Sequence, residues 1–193
     1  MESKLNLSYK ISKDDWMKGY DLYFKMFKRR SMIIKAGIFA VTSLLFIDQI
    51  VKDPSNTTGW LCFIVCIAMV AMILMNSRIE RKNMMRALDG IVDDTYVFDL
   101  FDDSFTVKTI VSEKEENLEY DEEGNIVPLP DIEPSVCYFN DRGLRCIETS
   151  DIYAVFSYRG CFFIPKAELS DAQKDELKNS LTEALGNKYR EKL

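Results

Sequence analysis

The chain has 193 residues, 47% hydrophobic and 29% charged, with a formal net charge of −6, which leaves room for one domain plus a membrane segment, or one compact soluble domain. Residues 1–90 hold 14 Lys and Arg against 8 Asp and Glu, whereas residues 91–193 hold 11 against 23; an acidic second half argues against a nucleic-acid partner, since phosphate binding needs a basic face on the folded domain. Histidine is absent, which removes the usual general base near neutral pH and the commonest metal ligand, so neither an enzyme nor a metal or other cofactor is expected.

Taken in chain order, Leu5, Leu7, Tyr9 and Ile11 alternate with polar residues, the period-2 signature of a half-buried strand. Ser12 with Asp15 three residues on predicts a capped helix. Its apolar positions Trp16, Tyr20, Tyr23, Phe24 and Phe27 recur at three- and four-residue steps. That face suits either a membrane interface or the protein's own sheet.

Two hydrophobic segments follow, over about 32–50 and 58–77. Residues 57–77 carry no charge and are apolar on every helical face from Trp60 to Met75, a run of roughly 30 Å at ~1.5 Å per residue, enough to cross a hydrocarbon core. The first segment is interrupted by Lys35 and Asp48 near its ends, where long side chains reach an interface. A signal peptide is a poor reading, because about thirty patterned residues precede the segment and a second span follows directly. Pro54, Asn56 and Gly59 make the intervening link a tight turn. Lys25, Lys28, Arg29 and Arg30 precede the first span and Arg78, Arg81, Lys82 and Arg86 follow the second, against Lys52 alone in the loop. The positive-inside rule then places both termini in the cytoplasm and the protein in the cell membrane, multi-pass, with the bilayer as its first partner. Arg29, Arg30, Lys35, Trp60, Arg78 and Arg81 are the expected membrane-interface anchors. Cys62 with Cys66, and Ala36 with Ala40, share helix faces at i, i+4 and suit close helix packing, also between copies of the chain.

A helical connector is expected over 79–94, and then strand signals crowd together. Residues 95–101 and 104–112 flank Asp102 and Asp103; 135–139 and 144–148 flank a turn at 140–143; 153–158 and 161–164 flank Arg159 and Gly160. Three antiparallel hairpins are the expectation. Ser170 and Gln173 open a final helix to about Tyr189, with Leu177, Leu181 and Leu185 on one face. Residues 113–134 contain nine acids and one lysine, either a solvated excursion or a small hairpin turning at Gly124 and Asn125. Calcium-loop spacing is missing from it. The five cysteines form no CxxC pair and read as reduced structural residues.

The resulting class is an α+β membrane protein: a two-helix transmembrane hairpin plus an antiparallel β domain of pleckstrin-homology-like plan, closed by a C-terminal helix. The pieces resemble the bacterial YcxB-like family, on Tyr96-Val-Phe98 with Phe105, Ser150-Asp-Ile152, and Phe162-Phe-Ile-Pro-Lys166. That resemblance implies a fold and a location and no reaction, with residues 113–134 as an insertion. It supplies Asp151, Ile152, Pro165 and Lys166 as candidate interaction residues. A membrane-anchored interaction or regulatory module with a protein partner is therefore expected. The alternatives are a small oligomeric transporter or channel subunit using Lys35 and Asp48, or a membrane enzyme built on Cys, Ser or paired Asp residues such as Asp93-Asp94 and Asp102-Asp103.

Overall fold

The computed structural model describes residues 3–112 and 132–192, together with the backbone of residues 119–120 and 126–127. The chain divides into two compact units, one of residues 1–19 with 88–193 and the other of residues 20–87.

In the first unit, β1 (Leu5–Lys10) buries alternate residues, as its period-2 pattern predicts. It pairs antiparallel with β2 (Thr95–Leu100), which pairs with β3 (Ser104–Ile110), which pairs with β6 (Ser135–Tyr138). Between β3 and β6 the two-residue strands β4 (Glu119–Tyr120) and β5 (Ile126–Val127) pair with each other. This favours the hairpin reading of the acidic stretch, whose turn and possible oxygen ligands lie outside the described residues. A second sheet joins β7 (Arg145–Glu148), β8 (Ile152–Ser157) and β9 (Gly160–Pro165) as antiparallel neighbours. Its far edge is β10 (Tyr189–Glu191), parallel to β7.

The two sheets share one apolar core, in which Phe105 of β3 meets Phe162 of β9 edge-on at 5.7 Å and Phe98 at 5.2 Å. Strand β8 is buried from Ile152 to Phe156 and so is covered on both faces. The last helix, α4 (Asp171–Leu185), begins at a reciprocal capping box between Ser170 and Gln173 and buries Leu177, Leu181 and Leu185.

Three expectations are corrected here. Residues 135–139 and 144–148 do not form a hairpin: β6 lies in the first sheet and β7 in the second, so the turn at 140–143 carries the chain between sheets. The final helix stops at Leu185, where Gly186 takes φ 52°, and Tyr189 belongs to β10. Finally, the helix after the second apolar run ends before residue 94. A single α3 (Thr57–Ala87) closes in a 3₁₀ turn over Leu88–Gly90 and leads into β2.

Helix α1 (Lys13–Tyr23) starts at Ser12, whose hydroxyl accepts the Asp15 backbone N–H at 3.1 Å. Trp16 meets Tyr96 and Phe163 at ring distances of 6.2 and 5.2 Å. That end of the helix thus packs on the protein's own sheet. Gly19 allows it, since a Cβ there would lie 2.5 Å from the Phe163 ring.

The second unit is an antiparallel helical hairpin of α2 (Arg29–Lys52) and α3, preceded by a π-helical turn, Phe24–Lys28. Both helices are long and apolar enough to cross a membrane, and only 6% and 11% of their most apolar stretches are buried in the protein. In the link, Asp53 accepts the Ser55 N–H at 3.1 Å and Asn56 accepts the Gly59 N–H at 3.0 Å. Asn56 therefore starts α3. Along α2, Met32, Ala36, Phe39, Ser43, Phe46 and Ile50 are buried or half-buried at alternating four- and three-residue steps, with Thr42 half-buried beside Ser43. On α3 Gly59, Cys62, Cys66, Met69 and Ile73 step in the same way. The helices thus meet along a heptad seam in which small residues (Ala36, Ser43, Gly59, Cys62 and Cys66) alternate with larger apolar ones.

Candidate functional site

Two groups of polar residues stand out, one in each unit. In the β-rich unit, Glu148 at the end of β7 is 4% exposed. Its carboxylate receives Lys166 Nζ at 2.6 Å and Lys178 Nζ at 3.3 Å, and the Tyr189 hydroxyl donates to it. Lys166 also lies 4.8 Å over the Tyr153 ring, and the Tyr153 hydroxyl donates to the Lys174 carbonyl at 3.2 Å. The backbone joins in, with Lys192 N–H donating to the Glu148 carbonyl at 2.8 Å. One carboxylate thereby ties together β7, the strand end at Pro165, α4 and β10.

Burial of Glu148 opposes its ionisation, but the hydrogen bonds from Lys166 and Tyr189 and the charges of Lys166 and Lys178 outweigh it, so the carboxyl titrates below its ordinary range. Tyr189 is pushed the other way, by burial and by the adjacent carboxylate. A carboxylate held ionised and met by three donors is a poor proton carrier. Its chemistry is that of a staple.

Of the candidate interaction residues, Ile152, Pro165 and Lys166 lie beside this cluster. Ile152 pairs with Pro165 across β8 and β9, and Lys166 N–H donates to the Asp151 carbonyl at 2.8 Å. Asp151 meets Lys18 at 3.2 Å, Ile152 is 1% exposed, and Lys166 points at Glu148. Of the four interaction candidates, only the Asp151 side chain is exposed. Sequence reasoning did not single out Glu148, because a lone acid at the end of an apolar strand resembles a turn residue until its partners arrive from positions 166, 178 and 189.

The other residues with catalytic potential have structural employment. Asp94 accepts the Ser112 N–H at 2.9 Å, Asp102 pairs with Lys4 at 2.5 Å, and Asp103 accepts the Ser104 hydroxyl at 2.8 Å. All five cysteines are free. Burial pushes the Cys146 thiol up to about 12 and raises Cys137 and Cys161 as well, away from the thiolate form a nucleophile needs. Among the described residues no group of three or more His, Cys, Asp or Glu side chains could hold a metal.

In the hairpin unit, the polar group lies at the basic end. Glu80 receives Lys28 Nζ at 2.8 Å, the Asn76 amide at 3.0 Å and the Tyr20 hydroxyl at 3.5 Å, and Arg81 pairs with Asp21 at 3.0 Å. Arg29, Arg30, Lys35 and Arg78 are exposed. At the opposite end the Trp60 indole donates to the Pro54 carbonyl at 3.3 Å. Asp48 meets Lys52 one turn on at 2.7 Å, so the charge a conduction pathway would use is neutralised at the helix end.

No family model, curated protein or solved structure matches this chain. Fold and geometry define its class: an α+β protein with antiparallel sheets, a capping helix, and two long apolar helices in a hairpin.

Proposed function

We propose that the chain is a membrane-anchored interaction or regulatory module, in which the helical hairpin spans the cell membrane and holds a YcxB-like, pleckstrin-homology-like domain at its cytoplasmic face. One observation carries the anchoring: Ile38, Val41, Leu44, Leu45, Leu61 and Ile64 are each about 60% exposed, in helices with no polar face to turn toward water. Each such side chain left in water forgoes roughly 1.5–3 kcal/mol, so a lipid environment supplies tens of kcal/mol that this unit does not gain internally. The basic residues clustered at one end of the hairpin support the cytoplasmic side for both termini. Tethering then gives the domain a high effective concentration toward a protein partner in the same membrane. The buried thiols and engaged carboxylates support a binding role over a catalytic one.

Anchoring is tested by fractionating cells that express the full chain. The protein is expected in the membrane pellet and to stay there through alkaline carbonate; a folded, monodisperse protein in the supernatant refutes the reading. The module function is tested by affinity capture from mild detergent. A single stoichiometric partner, lost on deleting residues 95–193 and kept on replacing the hairpin with an unrelated one, is the expected result.

A further inference from the structure

A cleft of about 460 Å³ opens at the basic end of the hairpin, lined wholly by residues 24–80 from the π-helical turn, α2 and α3. Its apolar lining comprises Phe24, Phe27, Met32, Met72 and Ile73. Three charged side chains line it, and two of them, Lys28 and Glu80, neutralise each other. The third, Lys35, has no ion-pair partner among the described residues.

The position of Lys35 makes that free charge informative. It lies six residues beyond Arg29, about 9 Å further along α2. It shares the cleft with Met72 and Ile73, which belong to the uncharged run 57–77. An ionisable group set against apolar side chains near the end of a span is best accommodated where an anion pairs with it at the interface. Other donors converge on the same space. The Ser31 hydroxyl has no hydrogen-bond partner among the described residues, and the Asn76 amide, which gives one N–H to Glu80, has a second to offer.

We propose that this cleft binds the phosphate of an anionic membrane lipid, with Lys35 as its counter-ion, Ser31 and Asn76 as hydrogen-bond donors, and the acyl chains lying along Met32, Met72 and Ile73. The inference rests on the anchoring reading above. A lipid is favoured over free phosphate because a ligand without a tail would leave the apolar lining of the cleft in contact with water. Net positive lining favours an anionic lipid over a zwitterionic one.

The test uses the full chain purified in mild detergent and offered phosphatidylglycerol or phosphatidylcholine in mixed micelles, with retained lipid counted by native mass spectrometry. One phosphatidylglycerol per chain is expected, preferred over phosphatidylcholine by about five- to tenfold, and Lys35→Gln should lower its retention by a similar factor. Ser31→Trp, which leaves Lys35 in place but fills the opening, should do the same. Arg30→Gln, outside the cleft, should change retention little. Equal retention of both lipids, or unchanged retention in the first two variants, overturns the proposal. So does displacement of the lipid by inorganic phosphate at equal concentration, which would make the ligand a soluble anion. Failure of the anchoring reading is separately visible, because carbonate-resistant sedimentation is scored first: a chain that sediments with membranes yet retains no anionic lipid refutes the lipid site alone.

Discussion

Glu148 shows how one residue acquires its meaning from partners distant in the chain. Replacing it with Ala leaves the ammonium of Lys166 largely buried with no counter-charge, and removal of one partner from such a pair typically costs about 3–5 kcal/mol. The expected outcome for Glu148→Ala is therefore a large loss in chemical-denaturation stability, together with release of β10 seen as faster amide exchange at residues 189–191. The same carboxylate sets an acid limit. Its folded value lies below the ordinary 4.5, so its contribution is fully present above that pH and fades as the pH falls through the folded value. Thermal melts below about pH 4.5 should show a steep decline in the native chain, and Glu148→Gln should start lower and decline less; parallel curves would remove Glu148 from the explanation. The strand-end motif Pro165-Lys166 was legible in the sequence, but its inward direction was not. Lysine at a strand end reads as solvent-facing unless a buried acid is known to await it.

At the scale of elements, short-range chemistry was read well where it is local. The capping pairs Ser12 with Asp15 and Ser170 with Gln173 both form, and the alternating burial of β1 and β2 follows their residue pattern. The helix end at Gly186 and the crossing from β6 to β7 are not legible in the sequence for one reason: a turn signal says that the chain bends, not which strand it meets afterwards. In the hairpin the sequence is apolar all round, so the seam was hidden among equivalent apolar positions and only the small pairs hinted at it. Cys66 lies in that seam and is 7% exposed, whereas Ala40 faces outward. Cys66→Trp should push α2 and α3 apart at a cost of about 1–3 kcal/mol. Resistance of the purified hairpin to stepwise denaturation by a harsh detergent is the measurement, with outward-facing Ile64→Trp as the variant expected to be near neutral.

The whole molecule is arranged so that the first residues complete a sheet whose other strands come some ninety residues later, with Leu7 opposite Phe98 and Tyr9 stacked on Tyr96 at 6.1 Å. A chain truncated before Ser12 would bare the edge of β2 and the ring face of Tyr96. It should be recovered mainly as aggregate, with binding of a hydrophobic dye, even though residues 88–193 are intact. A soluble, monomeric truncated protein would show that β1 is dispensable.

What the sequence determined by itself was whatever depends on neighbours within a few residues: two long apolar runs, their basic flanks, the capped helices and the strand periods. The tertiary structure alone decided which strands share a sheet, that β10 pairs parallel with β7, that Trp16 packs on the sheet, and that Glu148 and Lys35 differ in circumstance, one saturated with partners and the other lacking any counter-charge among the described residues. The physical reason is that periodicity and capping are written in local geometry. Pairing and burial are decided by contacts among residues far apart in the chain, whose free energies no local window contains.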